Sequence, residues 1–144
     1  MNEQDKKLLF RYLSMALLYN VIVDRLGNVK PLESCKVTKN GTMVVETNEY
    51  PYTSKTYLVE EVKPYLRSME DMTEEEMDEV EKILGNENIF DFMANGDIVL
   101  RKGCFNQKQL VELHNFLCSI HVDDCGLIEK GYAEKVTKEN NPYK

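Results

Sequence analysis

The stretch 34–47, SCKVTKNGTMVVET, decides the fold class. Asn40-Gly41 stands between two runs rich in β-formers, and this dipeptide tolerates the positive φ angles of a two-residue hairpin turn. Such a turn predicts Val37 opposite Val44 and Thr38 opposite Met43, with one face of the hairpin packed on a helix. That helix lies upstream. Residues 5–19 carry Leu8, Leu9, Phe10, Tyr12, Leu13, Met15, Ala16, Leu17, Leu18 and Tyr19, with Asp5 as the expected N-cap. A helix that is apolar almost all round has to be covered on more than one side. The cover is either the rest of the domain or a second copy, so a homodimer through the first helix is one expectation. Between helix and hairpin, Val21-Ile22-Val23 reads as a short buried strand ended by Asp24 and a Gly27-Asn28 turn.

Downstream, residues 48–58 read as a polar, Tyr-bearing connection, 58–62 as a short strand and 65–72 as an ordered linker. Thr73 and Glu76 form a capping box, in which each side chain accepts from the other's backbone N–H. Met72 and Met77 flank it as a hydrophobic staple. Met77, Val80, Ile83 and Leu84 supply the stripe, Asp78–Lys82 an i,i+4 pair, and Gly85 the stop. Residues 89–93 and 97–100 flank Asn95-Gly96 and predict a second hairpin with Phe92 opposite Val99; a short helix over 89–94 is the rival reading. Asn106 and Gln109 make another capping box, with Phe105 and Leu110 as its staple. The third helix runs to about Ile120, burying Leu110, Leu113, Leu117 and Ile120, and breaks at Asp123-Asp124-Cys125-Gly126. Residues 126–136 fold back across the domain. The expectation is a single α+β domain over 1–137, three helices packed on an antiparallel sheet with β-hairpins, and a frayed tail over 138–144.

The chain has 144 residues, 42% hydrophobic and 30% charged, with a formal net charge of −7. That length suits one domain with a single core. The acidic balance argues against a nucleic-acid binder, whose Lys and Arg must neutralise phosphates. The four cysteines, Cys35, Cys104, Cys118 and Cys125, would suit two disulfides by count. The apolar run 8–23 is interrupted by Arg11, Ser14 and Asn20, and no small-residue cleavage site follows. It is too polar and too short for a bilayer span. The expectation is therefore a cytoplasmic protein with free thiols and no membrane partner.

Four runs carry a resemblance. They are Lys63-Pro64-Tyr65-Leu66-Arg67-Ser68-Met69, Met72-Thr73-Glu74-Glu75-Glu76, His121-Val122-Asp123 and Gly126-Leu127-Ile128-Glu129-Lys130-Gly131-Tyr132-Ala133. Together they resemble a family of short proteins, without assigned chemistry, from gut Bacteroidales and their phages and prophages. The resemblance implies a phage or prophage setting in a Bacteroides-type host and supplies no mechanism. The family tends to carry two adjacent His where this chain has Ile120-His121.

His114, Cys118 and His121 recur at helical spacing, and Cys125 follows on the next loop; N and S ligands of this kind suit tetrahedral zinc. The spacing matches no zinc-finger signature and no CxxC pair occurs. Positions 114 and 121 are also spread over about 10 Å of helix axis, too far for one ion with bonds of about 2 Å. No metal and no cofactor are expected. A thiolate–imidazole pair of Cys118 with His114 or His121 would need side chains of one helix to aim at each other. No Gly-x-Ser-x-Gly elbow or Gly-rich phosphate loop occurs. Aligning Asp91, Asn95 and Gly96 to a calcium loop puts Met93 and Lys102 at ligand positions, which excludes it. His114-Asn115 with His121 on one helix does not make an HNH nuclease. The Tyr50, Tyr52 and Tyr57 loop has no basic cluster beside it and reads as local packing.

Acids crowd the second helix and its approach: Glu70, Asp71, Glu74, Glu75, Glu76, Asp78, Glu79 and Glu81. A solvated face favoured by the macrodipole accounts for them. The sharper reading is a partner-binding face of Met69, Glu70, Asp71, Glu74, Glu75, Asp78 and Glu79, docking on a basic protein or mimicking nucleic-acid charge, with adaptable Met contacts. The function expected is a non-enzymatic protein–protein interaction protein of a phage or mobile element, its partner unspecified. The alternative is a small metal- or Cys-dependent enzyme centred on the third helix.

Overall fold

The computed structural model describes residues 1–49, 53–85, 90–92, 98–100 and 106–143. Helix α1 (Glu3–Ala16) is capped by Asn2, whose side chain accepts from the Asp5 N–H at 2.8 Å. The cap is thus three residues earlier than expected. Asp5 lies inside the first turn, where its carboxylate accepts from Lys130 Nζ at 3.1 Å and Tyr132 Oη at 2.9 Å. After Ala16 the helix tightens into a 3-10 turn, Leu17–Tyr19, and stops at Asn20 in the left-handed region. Leu9, Tyr12, Leu13 and Ala16 are buried, packed with Leu32, Val45, Cys118 and Leu127. The apolar girth of α1 is met by sheet on one side and by the third helix and C-terminal segment on the other.

The main sheet contains β1 (Ile22–Arg25), β2 (Asn28–Val37), β3 (Met43–Glu49), β4 (Thr53–Leu58) and β5 (Lys63–Leu66). A separate hairpin is formed by β6 (Phe90–Phe92) and β7 (Ile98–Leu100), and β8 (Glu134–Lys135) closes the main sheet. The order is β4-β3-β2-β1-β5-β8, antiparallel except for the parallel β5–β8 pair. This is the expected α+β domain, three helices on a mostly antiparallel sheet, with strands β4, β5 and β8 added to those the sequence signals. Strand β4 falls where a polar connection is expected; it pairs with β3 from Val44↔Leu58 to Glu49↔Thr53 and is mostly exposed. A polar edge strand resists pairing with other chains. The strand expected at 58–62 gives way to a 3-10 turn over Val59–Glu61. Strand β5 starts just beyond it, overlaps only the start of the expected linker, and is recruited by β1, with Val23 opposite Pro64.

Both Asn-Gly hairpin registers shift by one residue. In β2–β3, Val37 faces Met43 and Lys36 faces Val44. The loop has three residues rather than two, because Thr38 and Thr42 close it. The Thr38 N–H donates to Thr42 O at 2.9 Å and the Thr42 N–H to Thr38 Oγ1 at 3.2 Å. Gly41 takes the positive φ, +80°, that such a loop requires. In β6–β7, Phe92 faces Ile98 rather than Val99; the helical rival over 89–94 gives way to a strand at 90–92. Asn95-Gly96, Tyr50, Tyr52, Cys104 and Phe105 lie outside the described residues. The β1–β2 turn is Leu26-Gly27, with φ of +52° and +86°.

Helix α2 (Glu74–Leu84) has both capping-box bonds and Gly85 at its left-handed C-cap. Lys82 pairs with Glu79 at 3.1 Å rather than with Asp78. Helix α3 (Gln107–Ser119) has the expected Asn106–Gln109 box. Met72, Val80, Leu84, Leu113, Leu117 and Val122 form the core between α2 and α3. Leu110, expected inside, is 50% exposed. Here α2 has already ended, and Gln109 Nε2 donates to the terminal Leu84 O at 3.3 Å. Leu117 faces α2 while Cys118 faces α1, so α3 stands between the two cores.

Near the C-terminus one side chain reaches back to the sheet. Tyr143 Oη donates to Tyr65 O at 2.8 Å and accepts from the Ile22 N–H at 3.1 Å. Its ring stacks on His121 with centroids 3.8 Å apart. A tyrosine that buries its ring and satisfies its hydroxyl holds down a segment that composition alone marks as frayed.

Candidate functional site

The chemistry-bearing residues gather where the chain leaves α3. His121 takes a left-handed conformation, φ +59°. The next residues lie along Arg67: the Arg67 N–H donates to His121 O at 2.7 Å, and the Asp123 N–H donates to Arg67 O at 2.9 Å. The Asp123 carboxylate then accepts from the backbone N–H groups of Cys125 at 3.1 Å, Leu127 at 3.0 Å and Ile128 at 2.8 Å. Asp124 and Cys125 therefore sit on a loop whose backbone is pinned on both sides.

This loop meets His114 on α3. His114 Nδ1 pairs with Asp124 Oδ2, and the Cys125 thiol donates to Asp124 Oδ1 at 3.3 Å. One donor atom from each of the three lies within 4.8 Å of the others. The hydrogen bond to Asp124 raises the His114 pKa above its ordinary value. Burial, then the Asp124 charge, pushes the Cys125 thiol up. Behind them Cys118 is fully buried, and burial pushes its thiol up to about 12. Neither cysteine has the lowered pKa that a nucleophile needs. The His114 ring is engaged by Asp124 through Nδ1, and the His121 ring by Tyr143.

His121 stacks on Tyr143, and burial, then Arg67, lowers its pKa. Its Nδ1 is buried without a hydrogen-bond partner among the described residues. Of the sequence candidates His114, Cys118, His121 and Cys125, the fold thus joins His114 to Cys125 through Asp124, seals Cys118 inside, and turns His121 away. Asp124, Asp123 and Tyr143 were not singled out by any spacing. The one signal was adjacency, Asp124 beside Cys125 in the segment that breaks the helix.

On the other side of Arg67 lies the acidic helix. Arg67 grips Glu76 in a bidentate pair, Nη1 to Oε2 and Nη2 to Oε1, each 2.8 Å. Its Nη1 also donates to Ile120 O at 3.2 Å and its Nη2 to Asp71 O at 2.9 Å. The guanidinium holds the Glu76 carboxyl below the usual carboxylate range. Glu76 is therefore a structural member, not part of a free face. Glu70, Asp71, Glu74, Glu75, Asp78 and Glu79 are exposed and Met69 is half-buried. Glu70 pairs with Lys135 at 3.1 Å. Met72 and Met77 pack into the α2–α3 core, as the staple requires.

A cavity of about 420 Å³ opens beside this helix, lined by Arg67, Asp71, Lys135 and residues 136–138 with Asn141. A second, about 380 Å³, is lined by Asp24, Arg25, Glu60, Glu61, Lys63 and Glu134. Neither includes His114, Asp124 or Cys125. Among the described residues, no helix is long and apolar enough to cross a membrane. No protein-family model, curated protein or solved structure matches the chain.

Proposed function

We propose that this protein acts without catalysis, docking through the exposed face of α2 on a partner protein that presents a basic surface. The observation that carries this reading is the placement of Glu74, Glu75, Asp78 and Glu79. Their spacing puts them on one helical face, opposite the buried Val80 and Leu84, and all four are exposed. The macrodipole favours acids within the first turn, and Asp78 and Glu79 lie beyond it. A Lys/Arg-rich groove complements that charge and could be reached rapidly by electrostatic steering. Met69 and Glu70 extend the face towards β8. The resemblance to Bacteroidales phage and prophage proteins supports a mobile-element setting in the host cytoplasm, where a basic groove is commonly one that holds nucleic acid.

The test uses a Lys/Arg-rich helical peptide as the basic probe, with binding read by fluorescence anisotropy across a salt series. One variant neutralises the face: Glu74→Gln, Glu75→Gln, Asp78→Asn and Glu79→Gln. A control neutralises the exposed Glu33, Glu112, Glu129 and Glu139. The expected result is affinity weakened about tenfold by the first set and much less by the second, with binding that fades as salt rises. Equal weakening by both sets, or no binding at low salt, would overturn the proposal.

A further inference from the structure

We infer that His114, Asp124 and Cys125 form a transition-metal site with a preference for zinc. Three observations carry it. The first is donor chemistry: one imidazole, one carboxylate and one thiol make a borderline N/O/S set of the kind zinc takes. The second is convergence: the three donor atoms lie within 4.8 Å of one another, and the Cys125 Sγ to Asp124 Oδ1 separation is 3.3 Å. Bonds of about 2.0–2.3 Å in tetrahedral geometry place ligand atoms roughly 3.3–3.8 Å apart, so small side-chain rotations complete the site.

The third observation is support. His114 comes from a helix, and the other two come from a loop held by three backbone N–H bonds to Asp123 and by the Arg67 backbone. A site built on pinned elements loses little freedom on binding an ion. The side chains of His114 and Asp124 are 26% and 15% exposed, so an ion can enter and a water can hold the fourth position. Three protein ligands leave the fourth position of a tetrahedral ion to that water. The geometric objection to a metal on the α3 stripe stands for His114 with His121. It does not reach this set, because Asp124 and Cys125 return from the loop to meet His114. Cys118 and His121 are not ligands.

Cobalt(II) titration of the reduced, chelator-treated protein tests the site, since a thiolate ligand gives a cobalt charge-transfer band that water and carboxylate do not. The expected result is stoichiometric binding with that band, displaced by stoichiometric zinc. Cys125→Ser should abolish the band and keep weaker binding. Asp124→Asn and His114→Ala should each weaken zinc binding by at least about 100-fold, beyond the 10–100-fold typical of residues that only support ligands. His121→Ala should leave affinity unchanged. Circular dichroism confirms that each variant is folded, and Cys125→Ser, close to isosteric, serves if His114→Ala is not. Failure to bind either ion stoichiometrically, a charge-transfer band that survives Cys125→Ser, or equal weakening by His121→Ala would overturn the assignment.

Discussion

His114 and His121 share one stripe by sequence spacing, yet the two ends of that stripe face different worlds. At the His114 end the ring meets Asp124, whose hydrogen bond outweighs burial and the Arg11 charge, and keeps its proton more tightly. At the His121 end the helix has stopped, the backbone has turned left-handed, and the ring lies on Tyr143 near Arg67, where it releases its proton more readily. Helical periodicity holds only as far as the helix does. Beyond Ser119, neighbours are set by whichever strand captures the chain, and here that is the extension of β5 at Arg67.

The largest effect should come from the seat of α3 itself. Leu117 is 1% exposed in the α2–α3 core, so Leu117→Ala should cost about 2–5 kcal/mol in urea melts. Leu110, on the same helix but half exposed, should change stability within about 0.5 kcal/mol on replacement by Ala. Similar losses at the two positions would mean that the α2–α3 contact extends a turn further than described.

Arg67→Ala comes next and strikes the His121 end. It strands the Glu76 carboxylate and frees the Ile120 and Asp71 carbonyls, costing about 1–3 kcal/mol for a pair that is partly exposed. Because the folded Glu76 pKa is lowered, its contribution is present above the ordinary value of 4.5 and is lost as pH falls through the lowered one. The variant should therefore show a flatter loss of stability on the acid side. An unchanged acid slope would show that the Thr73 N–H, which also donates to the Glu76 carboxylate at 2.9 Å, is enough to hold its pKa down.

Tyr143→Phe is the smallest and most local change. It removes the hydroxyl that links Ile22 to Tyr65 and should cost about 1 kcal/mol. The His121 ring signals should shift while those of His114 stay. Movement of both would couple two sites that are described as separate.

What could be read from sequence was the local part. Caps at Thr73 and Asn106 are spelled out within four residues, and both are present as read. The β2–β3 register missed by one because the closing Thr38–Thr42 contact, not the Asn40-Gly41 pair, sets the loop length. Strands β4, β5 and β8 are short and polar or proline-bearing, and become strands only when a partner is already in place. Asp124 was missed at the candidate site because its partner lies on another element, at no helical or strand spacing. The same holds for Tyr143, whose neighbours Ile22, Tyr65 and His121 are far apart in the chain.

The division of the α3 stripe is tested most directly by an NMR titration of the two histidine rings, the only two in the chain. The account predicts one pKa above the ordinary 6.5, assigned to His114, and one below it, assigned to His121. The linked stabilities have opposite signs. The His114 contribution is fully present below 6.5 and lost as pH rises through its raised pKa; that of His121 is present above 6.5 and lost as pH falls through its lowered one. Asp124→Asn should bring only the upper value back towards 6.5. Two rings titrating together, or His121 holding its proton longer than His114, would contradict the account.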